Sequence, residues 1–215
     1  MSLPLSSQRL VAFVALHERP VLRSYVAGSL WLESSEERAN ANLRSALWRL
    51  HRNGRRVVEC LGQRLALDSK VVVDLRESER VAQQVLNNGG DDLDVEPSAL
   101  TGELLPGWYD DWTLFERERF RQIRLRALDT LCERLTKQGR VDAALEAGLA
   151  AIAAEPLRES SHRAVIRAHL ADGNAAEALR QYGLCRRLLK DQLGLEPSDQ
   201  TDGLLQGVHM LATAG

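Results

Sequence analysis

Between Arg38 and Val58 the chain carries six arginines and His51, with no carboxylate among them. Guanidinium groups fork onto phosphate oxygens and onto the major-groove edge of guanine, so this stretch has the chemistry of a polyanion contact. A charge run alone can equally be a solvated face, and its spacing on a helix has to decide. Other reactive residues are sparse. The histidines His17, His51, His162, His169 and His209 are scattered, and His162 and His169 fall seven apart on one expected helix, as structural or solvent-facing side chains. Cys60, Cys132 and Cys185 are odd in number and far apart, with no CxxC pair, which indicates neither a disulfide framework nor a thiolate metal site. The sequence contains no H-E-x-x-H, G-x-S-x-G, G-x-x-x-x-G-K-[ST] or G-x-G-x-x-G pattern, so no enzyme activity, cofactor or metal is expected. The acidic pair Asp110–Asp111 is expected at a helix start, where carboxylates favour the dipole and cap free amides, rather than as a catalytic dyad.

The chain has 215 residues, 44% hydrophobic and 27% charged, which is globular composition. That length suits one large domain or two small ones, with a cytoplasmic location as the default from cysteine usage. The longest uncharged apolar stretches, Leu10–Leu16 and Ala147–Ala154, are too short to cross a membrane. Leu10–Leu16 runs straight into His17, Glu18 and Arg19, unlike a signal peptide. The net charge of −2 conceals an asymmetry: residues 1–75 hold eleven Lys/Arg against seven Asp/Glu, and the remainder holds seventeen against twenty-three. A basic amino-terminal part on an acidic chain places the polyanion partner at that end.

Gln8–Leu16 reads as a short helix and Arg23–Leu30 as a second, separated by a polar break at His17–Arg19 and a loop at Pro20. Ser34 followed by Glu37 makes a capping box, so a third helix is expected from about Ser35 to His51. At about 100° per residue, Ala39, Leu43, Ala46, Leu47 and Leu50 share one stripe and must face the core. Ala41, Arg44, Ser45, Trp48 and Arg52 point the other way, with Arg38, Asn42 and Arg49 along one flank. Small residues let such a face approach base edges, and arginine supplies the readout. Trp48 either joins that face or packs against a neighbouring element.

After Asn53–Gly54 and Arg55–Arg56, the runs Val57–Cys60 and Arg64–Leu67 flank a turn at Gly62, as a strand pair would; Val71–Val73 is a third short β-favouring run. Helix, helix, long basic helix and hairpin is the order of a winged helix-turn-helix, whose wing would carry Arg64 near its tip. The expected DNA contacts are Arg44, Ser45 and Arg49 for base or groove, with Arg38, Asn42 and Trp48 beside them, and Arg52, Arg55, Arg56 and Arg64 for phosphates. The stretch RANANLRSALWRLHRNGRRVVECLGQRLALDSKVVVDL resembles the carboxyl-terminal part of an OmpR/PhoB-type winged helix, in the variant of actinobacterial pathway activators. That resemblance makes the 35–51 helix the recognition helix. Domains of this type open with a four-stranded sheet, and here only Met1–Ser6 precede the first helix: either the sequence starts within the domain, or the domain does without that platform.

Residues 76–215 are expected to be helical, beginning with Arg76–Leu86 and a Gly/Asp-rich loop over 87–94. Pro106, Gly107 and two tryptophans lead into a long helix in which Phe120, Ile123, Ala127, Leu131 and Leu135 recur every three or four residues. Its arginines Arg117, Arg119, Arg121, Arg124 and Arg126 interleave with Glu116 and Glu118, the pattern of a surface with internal ion pairs. Leu131, Gly139, Ala144 and Leu145 recur 34 residues later as Val165, Gly173, Ala178 and Leu179, which is tetratricopeptide spacing. The stretches GELLPGWYDDW, ERERFRQIRLRAL, EPLRESSHRAVIRAHLADGN, AEALRQY and LGLEPS resemble the bacterial transcriptional activator domain over residues 100–198. With the winged helix, the whole is similar to the SARP/AfsR-type activators. The resemblance implies a mostly α fold, with a winged helix over 1–75 and a tetratricopeptide-like domain over 76–215. It also implies double-stranded DNA and RNA polymerase holoenzyme as partners, and action as a homodimer or tandem pair on promoter repeats. The alternative is a repeat-based adaptor or ligand-sensing module without autonomous DNA binding.

Overall fold

A computed structural model describes residues 3–52, 56–87 and 95–205. The expectations for Asn53–Gly54, Arg55, the loop from 88 to 94 and His209 lie outside the described residues. The chain divides into two units, Met1–Asp74 with Trp108–Glu116, and Leu75–Gly107 with Arg117–Gly215. Among the described residues the fold is mostly helical with one small three-stranded sheet.

In the first unit, α1 spans Leu5–Ala15, β1 Val21–Leu22, α2 Arg23–Leu30, α3 Glu36–Arg52, β2 Val58–Leu61 and β3 Arg64–Leu67. The five buried residues of α3 are Ala39, Leu43, Ala46, Leu47 and Leu50, the stripe its periodicity requires. They close on Leu10, Phe13 and Val14 of α1, Val26 and Leu30 of α2, and Val58 and Leu65 of the hairpin. Trp112 packs on this core, its ring 5.3 Å from Phe13 and edge-on to it, and Arg9 pairs with Asp110.

Three local expectations need correction. The cap of α3 is Ser35, whose Oγ accepts from the Arg38 amide at 3.4 Å; with Arg38 at the third helical position, no glutamate can complete a capping box with it. The third strand of the sheet is β1, pairing Val21 with Leu65 and Leu22 with Arg64 in the order β1-β3-β2, and Val71–Val73 is not a strand. Two residues ahead of a helix give too short a run for alternation to reveal. The first helix also starts at Leu5, earlier than Gln8.

The second unit contains α4 (Asp74–Asn87), most of α5 (Asp111–Lys137), α6 (Val141–Ala154), α7 (Glu159–Ala171), α8 (Ala175–Leu193) and the single turn α9 (Asp199–Asp202). Leu125, Leu128, Leu131 and Leu135 of α5 bury against Ala144, Ala147 and Ala151 of α6 and Ala164 and Ala168 of α7. The run of alanines on α6 lets the helix axes approach closely. Gly139 and Gly173, 34 residues apart, end α5 and α7 in the same way at φ +74° and +75°. In each case two hydrogen bonds close the end: Arg140 to Leu135 and Gly139 to Thr136, then Asn174 to His169 and Gly173 to Leu170. This is the Schellman pattern, repeated at the period read from the sequence.

Candidate nucleic-acid interface

The outward face of α3 brings several expected residues together. Arg44, Ser45, Trp48 and Arg49 line one shallow recess on the surface. Trp48 is 60% exposed, and the Arg52 guanidinium lies over its ring, 5.2 Å from the centroid. That stack holds a cation flat against the indole at modest cost in side-chain freedom. Arg38 is exposed nearly two turns upstream of Arg44 and Asn42 is half-buried on the flank. Arg49 donates to Ser6 Oγ at 3.3 Å, which ties it loosely back to α1.

The hairpin turns through Gly62, at φ +62°, with Leu61 opposite Arg64. Positive φ at the first loop residue alone is the pattern of a type II′ turn, which matches the twist of the strands. Arg64 is exposed, yet its Nη1 donates to the Pro20 carbonyl at 2.9 Å, so this arginine also braces the start of β1. Arg56 is exposed and lines a second recess with His51, Glu59 and Cys60; His51 Nε2 lies 3.0 Å from the Val58 carbonyl and ties the end of α3 to the start of β2. Sequence reasoning missed Arg23, whose Nη1 reaches Cys60 Sγ at 3.5 Å. Only the spatial pairing of β1 brings it beside the hairpin.

Charge pairing separates the two basic stretches. Among the described residues, none of Arg38, Arg44, Arg49, Arg52, Arg56 and Arg64 is ion-paired with a carboxylate. On α5, by contrast, Arg119 meets Glu79 and Arg121 meets Glu118 and Glu155. Arg117 donates to the Leu104 and Leu105 carbonyls. Glu118 is held down near 2, chiefly by its hydrogen bond from Arg121. Two arginines of the α5 run are thus matched by carboxylates, whereas the α3 arginines carry no such pair among the described residues.

Asp110 and Asp111 stand at the start of α5, but the Asp110 carboxylate pairs with Arg9 and its backbone carbonyl accepts from Thr113. Asp129 receives Arg158 Nε at 3.0 Å, Ser160 Oγ at 2.7 Å and Ser161 Oγ at 2.6 Å, fastening the start of α7 to α5. His162 is buried, with Nε2 2.9 Å from the Pro156 carbonyl and Nδ1 2.7 Å from Gln181 Nε2. Among the described residues no group of three His, Cys, Asp or Glu could hold a metal ion, and no helix is long and apolar enough to cross a membrane.

The family model of the bacterial transcriptional activator domain matches residues 98–209, just over half of the chain. Regulatory protein AfsR of Streptomyces coelicolor is 35% identical over 107 residues, which is 50% of this chain and 11% of that protein. The chain thus spans about a ninth of that relative's length. A solved structure of Mycobacterium tuberculosis EmbR in complex with a low-affinity phosphopeptide is similar in fold, with a TM-score of 0.62 at 19% identity. That likeness covers 95% of this chain and 59% of the EmbR chain. With the activator-domain model covering more than half of it, the chain belongs to the SARP-type family of transcriptional activators defined by the bacterial transcriptional activator domain.

Proposed function

We propose that the chain is a DNA-binding transcriptional regulator that acts on promoter repeats. Its first unit is a winged helix-turn-helix in which α3 enters the major groove and β2–β3 is the wing. The division of labour follows the sequence, with residues 1–75 for DNA and 76–215 for partners. In the second part α5 to α8 form tetratricopeptide-like hairpins that engage RNA polymerase or a second copy of the chain. The observation that carries this reading is the exposed α3 face, where Arg44, Ser45, Trp48, Arg49 and Arg52 crowd together without carboxylate partners among the described residues. Major-groove readout needs such a face on a helix, and phosphate contacts come from Arg56, just ahead of the wing, and from Arg64 next to its turn.

The test is fluorescence anisotropy of the chain with labelled duplex DNA from the region upstream of its own coding sequence, titrated across salt. Sequence-dependent binding with a steep negative slope of log affinity against log salt is the expected result. Absence of binding at low salt, from a chain shown to be folded, overturns the reading and leaves the repeat-based adaptor in its place.

A further inference from the structure

Between the Thr101–Gly107 segment and α5, the second unit contains a recess of about 260 Å³ lined in part by Glu103, Leu104, Pro106, Phe120, Arg121 and Arg124. Arg121 and Arg124 lie three apart on α5 and so share a face. Arg121 already has carboxylate partners in Glu118 and Glu155. Arg124 is different. It is only 5% exposed, and its Nη1 donates to the Thr101 carbonyl at 3.0 Å and to the Gly102 carbonyl. Its Nε is buried without a hydrogen-bond partner, and among the described residues no carboxylate is bonded to it. Glu103 acts on it only at a distance, as an exposed carboxylate at the rim.

A buried cation is retained in a fold when a counter-charge meets it, because desolvation otherwise penalises the charged form. Burial does push the Arg124 pKa down, despite the opposing pull of Glu103. With Nη1 committed to backbone carbonyls and Nε closed off from solvent, Nη2 is what remains of this guanidinium's donors, and the recess it lines is shared with the Arg121 guanidinium. The surroundings suit an apolar body: the Phe120 ring centroid lies 6.0 Å from the Arg124 guanidinium, and Leu104 and Pro106 complete the wall. The nearby Glu103 disfavours a doubly charged ligand.

We propose that this recess binds a small organic carboxylate, whose acid end meets Arg124 and Arg121 and whose apolar body lies on Phe120, Leu104 and Pro106. The site lies within the second unit and does not depend on the DNA-binding reading. Filling it would tie the Thr101–Gly107 segment to α5 through the ligand.

The experiment is calorimetric titration of the full chain with benzoate, benzyl alcohol and inorganic phosphate, with thermal melting in parallel. Benzoate should bind saturably and raise the melting temperature, while benzyl alcohol and phosphate should not. Arg124→Met should abolish binding, and Arg121→Gln, at a half-exposed position, should weaken it by about tenfold. Glu103→Gln should tighten it. If Arg124→Met does not fold, the Arg121 and Glu103 variants decide. Lack of saturable benzoate binding at tens of millimolar, a range at the weak end of measurable affinity, overturns the proposal. Equal affinity in the parent and the folded variants, or phosphate binding as tight as benzoate, also overturns it.

Discussion

Gly148 on α6 sits so close to Val165 on α7 that a Cβ at position 148 would stand 2.5 Å from Val165 Cγ2. It would also stand 3.1 Å from Cys132 Sγ on α5, so three helices converge on a position with room for no side chain. Gly148→Ala should therefore lower stability despite alanine's better helix propensity, by about 1–3 kcal/mol for an overpacked core site. Adding Val165→Ala should recover part of the loss, since the two positions share one contact. A thermal melt of the three variants checks this; a Gly148→Ala protein as stable as the parent refutes the close contact.

Arg44 and Arg56 separate sequence reading from general attraction. Arg44→Ala should flatten discrimination among operator variants, removing about 1–3 kcal/mol at the affected base pair. Arg56→Ala should weaken all sequences alike and reduce the salt slope by about one. Intact discrimination in Arg44→Ala would move the reading face elsewhere on α3.

The Trp48 side chain gives a cleaner separation of fold from function. Because it is 60% exposed and its stacking partner is Arg52, Trp48→Ala should cost less than about 1 kcal/mol in denaturant unfolding. The same change should weaken DNA binding, since it removes the surface that holds Arg52 flat. A large stability loss would instead mean that Trp48 is a packing residue.

These cases mark what the chain reveals by itself. The α3 stripe was legible because one face of a 17-residue helix repeats its constraint five times, from Ala39 to Leu50. The 34-residue step was legible for the same reason, and it reappears as chemistry: Arg167 reaches Glu133 at 2.8 Å, and Arg121 reaches Glu155, each pair 34 residues apart. What stayed hidden was decided by single contacts between distant positions. The two-residue strand β1 exists only because β3 pairs with it, and Trp112 joins the first core through Phe13, far away in the chain. Gly148 is one of several small residues in its helix, and nothing in its neighbours distinguishes a crowded glycine from an alanine. The Arg121–Glu118 pair was foreseeable from interleaved glutamates, but the pairing of Arg119 with Glu79 on α4, and the isolation of Arg124, depended on which distant residues pack against α5.

Acid should weaken the second unit in two steps. His162 is fully buried and burial lowers its pKa from 6.5, outweighing the Pro156 carbonyl and the Glu159 charge. Its bonds fit the neutral ring, with Nε2 donating to Pro156 and Nδ1 accepting from Gln181. The unfolded chain therefore binds this proton more readily than the fold. The stability His162 contributes is whole above pH 6.5 and falls as the pH drops below it. Glu159 is opposed by burial, which raises its pKa, but the Thr201 hydroxyl, the Ser198 amide and hydroxyl, and Arg163 together hold it below 4.5. Its contribution is present above pH 4.5 and is lost as the pH falls through the lower folded value. Melting temperature against pH should then show one decline beginning near 6.5 and a second beginning near 4.5. His162→Gln should flatten only the first, and Ser198→Ala should shrink only the second; a first decline that persists in His162→Gln assigns it to another group.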